Sequence, residues 1–160
     1  MKRTSVAHLN CSVAQALEVV GEWWTLLIVR NLMFGQRRFE AIQGDLGIAR
    51  NILSDRLGTL VEHGIVDRVK YQDHPERFEY RLTDKGRDLF PVIAALMAWG
   101  DKWASPLGKP IDLVHECGHV ATPTVVCDAC GGALDLRSVR ATDGSGWAST
   151  RADGDATTTD

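Results

Sequence analysis

Two groups of residues in this chain have types and spacings suited to chemistry. The first is Arg50, Asn51, Ser54 and Arg56. Arg and Asn carry paired hydrogen-bonding groups that match guanine and adenine edges in the major groove, and Ser reaches a base or a phosphate. Interleaved with them, Leu53, Leu57, Leu60 and Val61 fall at helical spacing. A helix that buries the leucines and offers the polar side chains suits entry into double-stranded DNA. The competing reading is an ordinary solvated helix face, and Arg56 equally suits an ion pair with Asp55 or Glu62.

The second group is His115-Glu-Cys117-Gly-His119 followed by Cys127-Asp-Ala-Cys130-Gly. Cys-x-x-Cys-Gly lets both sulfurs face one ion, and a second donor pair completes the tetrahedral set that Zn²⁺ prefers. Cys117 and His119 form that pair, with His115 as the alternative ligand. Their single-residue separation is tighter than usual. Metal-free thiols, a redox disulfide Cys127–Cys130 and a ribbon that has lost its metal are the alternatives. A closed four-ligand zinc site would be structural, since about thirty residues have too little core to fold alone without such a clip.

Cys11 stands at the start of a helix, where the dipole can favour a thiolate. That makes it a redox-sensing candidate; a small buried hydrophobe is the plainer reading.

These residues need elements to hold them. Residues 11–20 read as a helix with Val13, Ala16, Leu17 and Val20 inward, and Gly21 stops it. Residues 22–34 form a second helix. A third covers 37–44 with Phe39 and Ile42 inward, and 45–48 is a turn. Residues 49–63 are the fourth helix, closed by Gly64. Residues 65–71 and 78–82 alternate as strands around the turn 72–77, a hairpin the size of a wing. Thr83 is a good N-cap for a fifth helix, 84–103, kinked by Pro91. That helix carries Leu89, Val92, Ile93, Leu96, Trp99 and Trp103, more apolar surface than a small domain covers alone, so a homodimer through it is expected. At the start of the third helix, Arg37 and Arg38 look like phosphate anchors, or else a solvated pair. In the hairpin, Lys70 is placed for phosphate and Arg77 for the minor groove, though Asp73 and Glu76 lie beside it.

Residues 105–110 are linker-like, 111–140 form the Cys/His module, and the Gly-, Asp- and Thr-rich 141–160 read as a disordered tail. The net charge is −3, but residues 1–104 hold 14 basic and 13 acidic residues while 105–160 hold 4 and 8. The acidic excess sits in the second part. The first is not broadly basic, so a DNA footprint must be a local patch. No apolar run approaches the roughly 18 residues of a membrane span. No secretory h-region opens the chain, and four unevenly spread cysteines are no secreted disulfide framework. A cytoplasmic protein with no membrane partner is the expectation.

Several blocks together resemble the HxlR-type bacterial transcriptional regulators. They are Cys11-Ser-Val-Ala-Gln-Ala-Leu, Gly21-Glu-Trp-Trp-Thr-Leu-Leu-Ile-Val-Arg, Gly35-Gln-Arg-Arg-Phe, Leu53-Ser-Asp-Arg-Leu-Gly-Thr-Leu-Val-Glu-His-Gly-Ile-Val and Glu79-Tyr-Arg-Leu-Thr-Asp-Lys-Gly. The match spans about residues 11–104. The resemblance implies a winged helix-turn-helix homodimer on palindromic operators, and, as in some members, a Cys11 that responds to oxidants or electrophiles. Three positions depart from the family's usual pattern: Ser12 replaces Pro, Trp23 replaces a basic residue, and Ala49 replaces a capping Ser or Thr. The fold class expected is α+β, mainly α, with a C-terminal dimerisation helix and a zinc-ribbon-like module. The functional expectation is a DNA-binding regulator with an oxidant or small-molecule inducer. The alternatives are a small zinc or thiol enzyme and a protein-interaction adaptor. An enzyme finds little support, because no His-Glu-x-x-His, phosphate-binding Gly loop or nucleophile elbow is present.

Overall fold

Among the described residues, six helical segments and one hairpin occur in chain order: α1 (Ser12–Val20), α2 (Trp23–Met33), α3 (Phe39–Leu46), α4 (Arg50–Glu62), β1 (Val66–Asp73), β2 (Glu76–Leu82), α5 (Asp84–Arg87) and α6 (Phe90–Trp103). This is a computed structural model, and it describes residues 4–146. The chain divides into two compact units, one of residues 16–123 and one joining the N-terminal stretch through Gln15 to the segment from Thr124 onward.

The larger unit carries the fold that the periodicity implies. Leu53, Leu57 and Leu60 of α4 are buried together with Ile28, Val29 and Leu32 of α2, Ile42 of α3 and Ile93 of α6. Ile65 and Val66 bring the hairpin onto the same core. Burying one such side chain contributes roughly 1.5–3 kcal/mol, so this cluster fixes the position of α4.

Four features differ from expectation. The third helix starts at Phe39, because Arg38 is extended and bridges Glu79 of β2, and it runs through Gly44 to Gly47, whose left-handed φ of 60° closes it. The hairpin turn shrinks from 72–77 to His74-Pro75, since Gln72 pairs with Arg77 and Asp73 with Glu76; a bulge at Tyr71 absorbs the odd residue. The helix expected over 84–103 is two helices. Pro91 stands in the first turn of α6, where its missing N–H costs nothing, instead of kinking an interior. In α1, Val20 joins the core but Val13 and Leu17 are exposed, so this apolar stripe is not inward within one chain.

The C-terminal end of α4 is tied to the segment that leaves the hairpin. The Thr83 hydroxyl donates to the Gly64 carbonyl (2.7 Å) and accepts from the Gly86 N–H (3.1 Å). Lys85 Nζ donates to the His63 carbonyl at 2.8 Å. Gly86 is buried against the backbone, and a Cβ there would lie 2.2 Å from the Ile65 oxygen.

In the smaller unit, Val126 bridges Ala133 around the turn holding Cys127 and Cys130, and Asn10 Nδ2 donates to the Gly146 carbonyl at 3.1 Å. The stretch 111–140 thus contributes to both units. Of the tail expected over 141–160, residues 141–146 have no helix or strand and 147–160 lie outside the described residues.

Gly86→Ala forces α5 away from Ile65 and is expected to cost about 1–3 kcal/mol, the usual penalty of overpacking. Denaturant unfolding monitored by circular dichroism reads this directly; an unchanged midpoint would show that the approach is not tight.

Candidate nucleic-acid interface

Arg50 is the first residue of α4, with Ala49 as an N-cap that makes no side-chain cap bond. The end of α4 therefore keeps unpaired N–H groups and its partial positive charge, which favour a phosphate or an acceptor base edge. Arg50, Asn51 and Ser54 are all exposed, as a reading face must be. Arg56 is half-buried. It lies about 200° around the helix from Ser54 at 3.6 residues per turn, and it pairs with neither Asp55 nor Glu62 among the described residues. It does not share the face expected of it.

Arginines dominate the surface beside α4. Arg38, Arg50, Arg68 and Arg77 line one cleft of about 590 Å³ between the start of α3, the start of α4 and the hairpin. Three of these guanidiniums stack on rings: Arg50 over Phe39 at 4.8 Å, Arg38 over Tyr71 at 5.0 Å, and Arg68 over Phe78 at 3.6 Å from the ring centroid. Such contacts are worth about 0.5–1 kcal/mol at exposed sites. They hold the plane of the cation and leave its N–H edges free for acceptors.

The hairpin settles its own charge. Lys70, expected to meet phosphate, instead pairs with Glu76 at 2.6 Å and Asp73 at 3.3 Å. The two acids expected to offset Arg77 are thereby engaged, and Arg77 at the tip keeps no ion-pair partner among the described residues. Arg37 faces elsewhere. Its carbonyl accepts from Tyr80 N–H at 2.8 Å, and its side chain lines a second cleft with Arg81 and Arg87, not the one that Arg38 lines.

Sequence reasoning missed Arg68 and an internal clip. Arg68 is two residues beyond buried Val66, so the strand's alternation puts it on the face turned toward α4. The clip is buried Asn31, whose Nδ2 donates to Asp45 Oδ2 (2.8 Å) and Gln36 Oε1 (3.0 Å) while its Oδ1 accepts from Arg30 (2.6 Å). It ties the end of α2 to the end of α3, which sets the angle at which α4 is presented.

The Cys/His residues fall in two turns, one in each compact unit. Cys117 Sγ lies 3.7 Å from His119 Nδ1 in a turn closed by His115 N–H on the His119 carbonyl, and Cys117 N–H donates to His115 Nδ1. Cys127 and Cys130 share the other turn. Backbone N–H groups of Ala129 and then Cys130 point at the Cys127 sulfur and pull its pKa below the usual thiol value, with the Cys130 side chain adding to the effect. Gly118 and Gly131, each just after a cysteine, both have positive φ, 86° and 70°. Among the described residues no group of three or more His, Cys, Asp and Glu side chains is arranged to hold a metal ion. Cys11 is exposed, and its carbonyl accepts from Gln15 N–H at the start of α1.

A helix-turn-helix with an arginine-bearing hairpin beside it defines a winged-helix DNA-binding protein. Residues 19–107 match the model of the HxlR-like helix-turn-helix family, and the chain belongs to that family of transcriptional regulators. It is 51% identical over 138 residues to the HTH-type transcriptional regulator Rv3095 of Mycobacterium tuberculosis, which spans 85% of this chain and 87% of that relative. Among solved structures it is similar to the transcription factor PA1607, at 38% identity and a TM-score of 0.77, over 87% of this chain and 99% of that one. The redox regulator HypR in its oxidized form matches at 31% identity and a TM-score of 0.53, over 59% of this chain and 99% of that one. No single helix among the described residues is long and apolar enough to cross a membrane.

If the cleft binds DNA, Arg68→Ala weakens binding to all sequences and lowers the salt slope by about one contact. Arg56→Ala, on the other flank, leaves the slope unchanged. Fluorescence-anisotropy titrations at several salt concentrations separate the two; equal effects would remove Arg68 from the interface.

Proposed function

We propose that this chain is a sequence-specific transcriptional regulator that binds palindromic operators as a homodimer. The observation that carries the reading is the convergence of Arg38, Arg50, Arg68 and Arg77 on one cleft at the N-terminal end of α4. In this reading α4 enters the major groove. Arg50 and Asn51 read bases, Ser54 meets a base or phosphate, and Arg77 reaches the minor groove. Arg38 and Arg68 hold the backbone. Support for the dimer comes from α6, where Val92, Leu96, Trp99 and Trp103 are exposed at 47%, 51%, 60% and 67%. Their spacing of four, three and four residues makes one stripe, which a second copy would cover. Family membership and the absence of a catalytic motif in the sequence weigh against the enzyme reading; an adaptor would leave the arginine cleft without a purpose.

Response to oxidants is a second part of the proposal. Cys11 is exposed, and the similar HypR is a redox regulator. Oxidation of an exposed thiol beside a helix start changes local charge and packing, which a dimer can transmit to its wings.

The expected outcome on DNA flanking the chain's own gene is symmetric protection of two half-sites about one helical turn apart, 34–36 Å between centres. Arg50→Ala loses roughly 1–3 kcal/mol of discrimination, while the fold is kept and the melting midpoint falls only by the few degrees that loss of the Phe39 contact implies. Protection of a single half-site would contradict the dimer, and unchanged selectivity in the variant would contradict the role of Arg50. The same footprint taken after hypochlorite treatment, with Cys11→Ser as control, tests the redox reading.

We also propose that the Cys127–Cys130 turn holds a structural zinc, as its Cys-x-x-Cys-Gly spacing implies. The fit rests on the donor types and on the N–H groups aimed at the Cys127 sulfur, which favour the thiolate a metal requires. Zinc there would clip loops that have little core of their own. Freshly purified protein is expected to contain one zinc per chain and Cys127→Ser none, by elemental analysis; a metal-free native protein removes the proposal.

A further inference from the structure

The cleft that takes Arg37 has a different character from the arginine cleft beside α4. It lies between the end of α2, the base of β2 and the junction of α5 with α6, with a volume of about 560 Å³. That is within the roughly 300–1,000 Å³ of small-molecule sites. Leu32 and Leu82 line it, and the rings of Phe34 and Phe90 flank it, each left 46% exposed.

Charge decides what would fit. Of the three guanidiniums here, Arg81 is engaged by Glu79, and Arg87 by Asp84 and the Leu82 carbonyl. Arg37 has no ion-pair or hydrogen-bond partner for its side chain among the described residues. One uncompensated cation therefore stands at an apolar, partly aromatic cleft. A guanidinium takes a carboxylate bidentately, and exposed rings take a flat apolar body. A DNA backbone would satisfy Arg37 but leave both phenylalanines uncovered.

We propose that this cleft binds a small organic carboxylate with an aromatic body, and that its occupancy alters DNA affinity. The second half rests on the DNA-binding reading above. The route is short: Arg81 and Leu82 belong to the wing strand, and Arg87 and Phe90 flank the break between α5 and α6. A ligand held by both biases whichever wing position suits it, and so shifts the population that grips DNA.

Calorimetric titration of the full chain with 1-naphthoate, 1-naphthamide as the neutral control, tests the site. Naphthoate is expected to bind once per chain. The amide, and naphthoate on Arg37→Gln, are expected to bind about tenfold or more weakly, the cost of a lost charge-assisted pair. No heat with naphthoate, or equal binding of the amide, overturns the site. Equal loss in Arg37→Gln and Arg77→Gln also overturns it, because binding would then track net charge and not this cleft. DNA titrations with and without naphthoate test the coupling: a shifted midpoint in the native chain that Arg37→Gln abolishes supports it. Naphthoate bound without any shift overturns the regulatory half. A chain that binds naphthoate but no DNA instead sinks the DNA-binding reading and leaves the site standing. If Arg37→Gln weakens DNA binding while keeping naphthoate, Arg37 is a phosphate anchor and the proposal fails.

Discussion

Everything that presents α4 depends on how its carboxyl end is held. Gly86 sits where any Cβ would strike the Ile65 backbone, so α5 can press directly on the chain leaving α4. Thr83 and Lys85 then take the carbonyls of Gly64 and His63, which a helix end would otherwise leave unpaired. At the other side, buried Asn31 joins α2 to α3 through Gln36 and Asp45. The leucine face of α4 is buried and its C-terminal end is bonded, while its N-terminal turn, with Arg50 and Asn51, is exposed. That turn is the part expected to meet DNA.

A chain of net charge −3 cannot rely on a broad positive field. The structure concentrates cations instead. Phe39, Tyr71 and Phe78 each underlie one guanidinium, so exposed arginines from three separate elements line one cleft, with Glu40 and Glu76 also on its wall. Lys70 serves this arrangement indirectly by engaging Asp73 and Glu76. Exposed ion pairs of that kind add little stability, about 0–1 kcal/mol. Their effect is electrostatic: the wing tip is left to Arg77.

The helix-turn-helix is readable because Leu53, Leu57 and Leu60 keep a helical period, and because Gly64 and Thr83 carry strong local signals. Periodicity cannot say what covers an apolar stripe. Val13 and Leu17 read as core and are exposed, while Leu96 and Trp99 read as surplus and are exposed as expected. The hairpin turn is shorter than its residue types suggest, since Asp, Pro and Glu signal a loop but pair well enough at 73 and 76. Arg56 suits the DNA face by residue type alone, whereas helical geometry places it on the other flank. Alternation from Val66 gives the face of Arg68, but its role depends on Phe78 and Arg50, which only the fold brings to the same cleft. The split between Arg37 and Arg38 is hidden for the same reason: consecutive residues in an extended segment point to opposite sides.

In the DNA-binding reading, the guanidiniums set on aromatic rings and Arg77 at the wing tip contact the operator. Arginine Nε–Hε resonances, tracked by NMR as an operator duplex is added, test it most directly. Arg38, Arg50, Arg68 and Arg77 are expected to shift or slow in exchange together while Arg56 does not. Perturbation of Arg56 with those four unmoved would contradict it.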